Sequence, residues 1–112
     1  MNDSEFKINE GTVTFSLDAN KLKYNDSKTT PIFSIAPEGG SIFVVKDNDN
    51  KLKFFYVVLG KGRVDLEYDV SNLDPNIKYR FAFTWSLKDQ KLVLYIDGKE
   101  KSSRDIIFTA GS

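Results

Sequence analysis

The sequence contains no cysteine and no histidine among its 112 residues. Without cysteine, the chain has no disulfide, no thiolate metal site and no cysteine nucleophile. Without histidine, every Ser-His-Asp triad is excluded, and the commonest general base and the usual zinc ligand are missing. These two absences remove a large part of enzyme chemistry, and we therefore expect a protein that is not an enzyme.

An excess of charge of either sign is also lacking, because 16 basic and 16 acidic side chains cancel. Nucleic acids and anionic membranes attract clustered positive charge, so we expect no nucleic-acid partner. No apolar run has the length of a membrane span, and we expect no membrane insertion. The polar start MNDSEFKINE has no apolar h-region of a signal peptide. If the protein is secreted, its signal lies upstream, and we expect residues 1–112 to be one domain excised from a larger protein.

A sustained 3.6-residue period is absent from every window, which argues against helices. Short runs rich in Val, Ile, Phe, Tyr and Thr alternate instead with Gly, Asn and Asp, as in strands separated by turns. The pattern predicts an all-β, antiparallel sandwich or barrel. We predict strands over residues 10–18, 31–36, 41–46, 51–59, 62–70, 77–86, 91–97 and 103–109.

Alternation along a strand predicts which aromatic side chains face the core. In one strand, Phe81, Phe83 and Trp85 alternate with smaller or polar residues. We therefore assign Trp85, the only tryptophan, to the core. Tyr24 and Tyr56 are then the aromatic residues that we predict to be exposed, and they are candidates for stacking against a ligand such as a sugar ring.

Two neighbouring strands are apolar on both faces. All four residues over 42–45 are apolar, and in the next strand Phe55, Val57 and Leu59 lie opposite a second apolar set. A half-solvated sheet does not need two apolar faces. We therefore expect the second face to be covered by the loop over 19–30, by a ligand or by a partner chain, and the last alternative predicts a homo-oligomer.

Carboxylates alternate along one strand as Asp65, Glu67 and Asp69. Neighbouring carboxylates are about 7 Å apart, from the two-residue rise of a strand. Retaining glucanases with a jelly-roll fold place their nucleophile and acid on one strand face, but the glutamate expected as proton donor is absent here. We expect a solvated strand face that offers polar groups to a ligand and contains no catalytic residue.

Oxygen-bearing side chains occupy all four positions of the turn over 47–50. Calcium takes six to eight oxygen ligands, so Asp47 and Asp49 are candidate calcium ligands. The turn lacks the spaced glycine and the twelfth-position glutamate of an EF-hand, and Asn and Asp also form hairpin turns without a metal. Both interpretations stay open. Further ligands would have to be brought near by the fold, from Asp18, Asp26 and Asp97.

The hairpin YRFAFTWSLKDQKLVLYIDGKE, residues 79–100, resembles a segment of concanavalin A-like, laminin-G-like jelly rolls. In that family the segment reads VAVTW, a short polar turn and KLxLYVDGK. Here FAFTW and KLVLYIDGK are in those positions, and the stretches GTVTFS, TTPIFSI and KLKFFYV are similar to earlier strands of the family in the same order. The resemblance extends over about residues 10–100. The family's final third is missing after Phe108.

The resemblance implies an antiparallel jelly-roll β-sandwich of the concanavalin A-like type, in shortened form. Family members mostly act as carbohydrate- or protein-binding modules of surface and secreted proteins, and some bind calcium. We therefore expect a lectin-like binding or adhesion module, for carbohydrate or a surface protein, in an extracellular, cell-surface or virion setting. Because fold does not decide function, two alternatives remain. One is an assembly domain that oligomerises through an apolar face or open edge, and the other is a glycoside hydrolase.

Overall fold

The computed structural model describes residues 7–17, 24, 26–74 and 76–108. Within these ranges the chain forms eight strands and no helix. None of the described residues therefore belongs to a helix long and apolar enough to cross a membrane. The strands are β1 (Glu10–Leu17), β2 (Thr30–Ile35), β3 (Gly40–Lys46), β4 (Lys51–Val58), β5 (Gly62–Asp69), β6 (Tyr79–Ser86), β7 (Lys91–Ile96) and β8 (Lys99–Asp105).

The strands form two antiparallel sheets that pack face to face. The first sheet has the order β1-β6-β7-β8, and the second has the order β2-β3-β4-β5. Every strand pair is antiparallel. Short turns can therefore join strands that are consecutive in the chain and adjacent in one sheet. This arrangement confirms the predicted all-β sandwich.

Alternating side chains from both sheets fill the space between them, as strand geometry requires. Phe54 of β4 and Phe83 of β6 stack across the sandwich with ring centroids 4.5 Å apart. Phe81, Phe83 and Trp85 are each at most 1% exposed, which confirms that this face of β6 is in the core. The large buried side chains also include Tyr56, Ile35, Ile42, Leu52, Leu92 and Leu94.

The turn at Asp97-Gly98 has the geometry that its sequence predicts. Both residues have positive φ, 51° for Asp97 and 83° for Gly98, as a type I′ turn requires. A two-residue turn starts the next strand at once, so β8 begins at Lys99. Our prediction of a last strand over 103–109 is therefore wrong in its start, and residue 109 lies outside the described residues. The residues of β8, KEKSSRD, are all polar, so apolar alternation does not reveal this strand. An edge strand that is mostly exposed does not need apolar alternation.

Candidate binding face

The outer face of the second sheet presents a pair of aromatic rings to solvent. Phe43 of β3 lies opposite Phe55 of β4, and their rings stack with centroids 6.0 Å apart and planes at 25°. Ile42 and Val44 fill the core, so alternation directs Phe43 outwards. The side chain of Phe43 is 39% exposed, and that of Phe55 is partly buried. Phe43 was not among our predicted site residues, although its place between the inward-facing Ile42 and Val44 indicates an outward side chain.

A guanidinium group covers one of these two rings. The central carbon of Arg63 lies 5.0 Å from the centre of the Phe55 ring, within the range of a cation–π contact. Its Nε atom forms an ion pair of 2.9 Å with Oδ1 of Asp65. The register of β4 and β5 sets Phe55 opposite Asp65 and Val57 opposite Arg63. We call Phe43, Phe55, Val57 and Arg63 the aromatic face.

Beside the aromatic face, the sheet continues as a ladder of paired charges. The carboxylate of Glu67 lies 3.7 Å from Nζ of Lys53 and 3.9 Å from Nζ of Lys51. Lys53 also reaches Oδ2 of Asp47 at 2.8 Å, and this hydrogen bond raises the pKa of Lys53. Each cation thus neutralises a carboxylate on a neighbouring strand, which is the favourable arrangement for cross-strand pairs.

The third carboxylate of the predicted set, Asp69, lies at the end of β5. It accepts hydrogen bonds from the hydroxyl of Ser71 at 2.6 Å and from its backbone N–H at 2.8 Å. The hydroxyl first, and then the N–H, hold the pKa of Asp69 below its usual value. Asp65, Glu67 and Asp69 therefore share one solvent-facing side, as expected, and ligand binding by them stays a prediction.

The predicted exposure of two tyrosines is wrong. Tyr24 is 3% exposed and Tyr56 is 0% exposed. The hydroxyl of Tyr56 donates to the carbonyl of Ile8, and burial raises its pKa to about 12. The hydroxyl of Tyr24 donates to the carbonyl of Leu17 at 3.1 Å, and its ring meets Tyr79 edge-on with centroids 6.1 Å apart. Neither ring presents a face to a ligand.

The burial of Tyr24 also bears on what covers the aromatic face. Tyr24 belongs to the core between the sheets, so it does not fold over the outside of the second sheet. Residues 19–23 and 25 of the proposed covering loop lie outside the described residues, and Asp26 and Lys28 of the loop bind Lys46. Next to the face, Leu59 is 72% exposed. In the described part of the chain, the face is therefore open to a ligand or a second chain.

The turn with the calcium candidates is organised by a buried lysine. Lys46 is 0% exposed, and its Nζ atom lies within 3.4 Å of four oxygens. The two short bonds join it to Oδ1 of Asp26 at 2.7 Å and to the carbonyl of Lys28 at 2.6 Å. The longer contacts reach the carbonyl of Asp47 at 3.3 Å and Oδ1 of Asn50 at 3.4 Å. An ammonium thus occupies the point at which the oxygens converge.

Asp47 itself uses both carboxylate oxygens within the turn. Oδ1 accepts the N–H groups of Asp49 at 2.9 Å and Lys51 at 3.1 Å, and Oδ2 pairs with Lys53. Burial raises the pKa of Asp47, but these donors together lower it below its usual value. No cluster of three or more acidic residues that could hold a metal exists among the described residues. The contacts of Asp47 are those of a hairpin turn, and calcium binding by Asp47 and Asp49 stays a prediction.

Of the described aspartates considered as further calcium ligands, Asp26 lies near this turn and Asp97 does not. Asp26 is bound to Lys46, whose hydrogen bond is the largest cause of its lowered pKa. Asp97 accepts the N–H of Arg80 at 2.9 Å, in the other sheet. Asp18 lies outside the described residues.

The fold is similar to a solved structure of the mouse laminin alpha1 chain, domains LG4-5. The two superpose with a TM-score of 0.62 at 18% sequence identity, over 90% of this chain and 24% of that chain. No family model matches the chain, and no curated protein does. The likeness shows a laminin-G-like jelly-roll β-sandwich, which confirms the fold that the sequence resemblance implied. This chain spans about a quarter of the chain it resembles.

Proposed function

We propose that this laminin-G-like sandwich is a non-catalytic binding and adhesion module of an extracellular protein, and that it takes carbohydrate on its aromatic face. The observation that carries the proposal is the outward-facing, stacked pair of Phe43 and Phe55. Aromatic rings supply large contact areas at little entropic cost, and a few polar groups beside them fix the orientation of a ligand. The likeness to a laminin domain supports a binding role in an extracellular setting.

The polar groups that such a ligand needs flank the rings on both sides. The register sets Ser34, Phe43, Phe55 and Asp65 in one row across the four strands. Arg63, in the next row, holds its guanidinium against Phe55. Hydroxyl, guanidinium and carboxylate groups thus line an apolar strip that crosses the sheet. This arrangement suits an extended sugar chain that contacts the rings with its C–H faces and the rims with its hydroxyl groups.

A glycan array with the purified chain tests the proposal. We expect binding that Phe43→Ser and Phe55→Ser each weaken at least about tenfold, the effect of losing about 1.4 kcal/mol of contact. Tyr95→Ser is the matched control, because Tyr95 is a partly exposed aromatic residue in β7 of the other sheet. Binding that survives both phenylalanine variants, or that Tyr95→Ser also removes, would contradict the assignment to this face.

A second candidate function, assembly through the same face, is favoured by the exposure of Leu59. Large exposed apolar patches are more often contact sites than free surface. Sedimentation of the wild type and of Phe55→Ser separates the two functions. A dimer that Phe55→Ser splits without unfolding would support assembly through this face. Glycan binding that Phe55→Ser weakens, with the oligomeric state unchanged, would support recognition of a ligand.

A further inference from the structure

The sandwich has four edge strands, β1 and β8 in the first sheet and β2 and β5 in the second. An unprotected edge presents unpaired backbone groups that pair readily with another strand. Soluble proteins therefore place proline, bulges or charges on their edges, or cover them. Three of these four edges carry such a feature.

The protected edges differ in how they are protected. In β2, Pro31 lies within the strand, and the register shifts between Pro31 and Phe33. In β8, five of the seven residues of KEKSSRD are charged. The edge of β5 is covered by side chains of β8, because Arg104 donates to the carbonyl of Asp65 at 2.9 Å and Ser102 donates to the carbonyl of Glu67 at 3.3 Å.

Among the described residues, no feature of this kind protects the edge of β1. From Gly11 to Ser16 the strand has no charge and no proline, and it pairs with β6 without a bulge over its whole length. Within the described residues, no strand pairs with its other side. The hydroxyl of Tyr24 donates to the last carbonyl of the strand, that of Leu17.

We propose that β1 pairs antiparallel with β1 of a second copy of this chain, about a twofold axis at Thr14. Residues that oppose each other across an antiparallel pair must lie on the same face. The axis at Thr14 meets this condition, because it sets Thr14 opposite itself, Thr12 opposite Ser16 and Val13 opposite Phe15. Hydroxyl pairs then lie on the outer face and apolar pairs on the core side, which are favourable cross-strand combinations.

The charge distribution of β1 supports a second copy as the partner. Glu10 is the one charged residue of the strand, and the axis at Thr14 leaves it outside the paired segment from Gly11 to Leu17. No like charges therefore meet within the paired segment from Gly11 to Leu17. The contact is also closed, because the twofold axis pairs β1 of one copy with β1 of the other. Neither β1 edge is then free to bind a third copy.

The dimer also affects ligand binding, and this effect rests on the proposed function of the aromatic face. A twofold axis through an antiparallel pair is perpendicular to the sheet, so the second sheets of both copies lie on the same side. Both aromatic faces then point in one direction. Two weak sites on one surface bind a multivalent ligand with avidity that neither site has alone.

Thr14→Cys tests the pairing directly, because the chain has no other cysteine. Opposed residues of an antiparallel pair have Cβ atoms about 4.5–5.5 Å apart, near the separation in a disulfide. The control is Thr84→Cys, at the register partner of Thr12 on the central strand β6. We expect Thr14→Cys to form a covalent dimer roughly tenfold faster than the control under mild oxidation. Equal rates would overturn the proposal.

Sedimentation equilibrium gives a second measurement that needs no disulfide geometry. We expect the wild type and Thr84→Lys to be dimers and Thr14→Lys to be a monomer, because the variant sets two ammonium groups opposite each other at the axis. A wild type that stays monomeric at millimolar concentration would overturn the pairing. The glycan array distinguishes this failure from that of the proposed function, since monomeric Thr14→Lys keeps the aromatic face intact.

Discussion

The indole ring of Trp85 lies against Gly11, its register partner on β1. A Cβ atom at position 11 would lie 2.5 Å from Cζ2 and 2.9 Å from Cε2 of this ring. The Nε1–H of Trp85 donates to the carbonyl of Lys7 at 2.7 Å, so the ring is held at the start of β1. Glycine at position 11 is therefore a packing requirement set by the only tryptophan.

Gly11→Ala should destabilise the domain by about 1–3 kcal/mol, the usual cost of an overpacked core. Urea unfolding measures the change, and Thr12→Ala is the control, because Thr12 is the exposed neighbour on the same strand. The double variant Gly11→Ala/Trp85→Phe should lose less stability than the two single variants together, because the smaller ring leaves room for the methyl group. Equal stability of Gly11→Ala and Thr12→Ala would contradict the packing argument.

Trp85→Ala should cost about 3–5 kcal/mol, because the indole is 1% exposed and fills the core. A loss of this size is enough to unfold a marginal domain. The native protein should show blue-shifted tryptophan emission that shifts to the red on unfolding. A red-shifted native spectrum that sugars quench would instead place Trp85 at a binding surface.

Lys46→Met should lower the free energy of unfolding by about 1.5–3 kcal/mol, the range for hydrogen bonds to charged groups. The variant removes the ammonium that joins Asp26 and the carbonyl of Lys28 to the end of β3. Lys91→Met is the control, because Lys91 is an exposed residue whose ion pair with Asp105 spans 3.7 Å. Exposed pairs contribute about 0–1 kcal/mol, so the two variants should differ clearly in urea.

Acid should destabilise the protein below about pH 4. Asp26, Asp47 and Asp69 have folded-state pKa values below their ordinary value of 3.8. The unfolded chain therefore takes up protons first, and the stability that is present above pH 3.8 is lost as the pH falls through the folded-state values. Chemical unfolding between pH 6 and 2 measures this loss. It should be smaller in Lys46→Met, because Asp26 then lacks its main hydrogen-bond donor.

Alkali should destabilise the protein as well, through Tyr56. Burial raises the pKa of its phenol from 10.0 to about 12. The stability associated with the neutral phenol is present below pH 10 and is lost as the pH rises towards 12. Tyr56→Phe should remove this loss, although it also removes the hydrogen bond to the carbonyl of Ile8. If the alkaline loss of stability is unchanged in Tyr56→Phe, another group causes it.

Purified protein should release no sugar from β-glucans, xylan or galactans. The chain has no histidine, and Glu67, the glutamate of the carboxylate row, is paired with Lys51 and Lys53. Reducing-end assays measure hydrolysis, with Glu67→Gln as the control variant. Turnover that disappears in Glu67→Gln would show that the carboxylate row is catalytic.

The sequence alone determined the strands, because the alternation of apolar side chains and the chemistry of turns are local. Both ends of each strand from β1 to β7 lie within two residues of their predicted positions. The Asp97-Gly98 turn has the predicted geometry for the same reason, since positive φ is a property of the residues in the turn. The last strand was predicted over 103–109 and begins at Lys99 instead, because the polar edge strand β8 has no alternation that marks its start.

Only the tertiary structure decided which residues meet across strands and which end up inside. Tyr56 shares the inner face of β4 with Phe54, and the opposite sheet buries it. Arg63 reaches Phe55 because of the register between β4 and β5. A lysine at a strand end ordinarily faces water, and Lys46 is buried because the chain before β2 and the turn after β3 converge on it. These outcomes depend on pairing between distant segments, and local propensity carries no information about it.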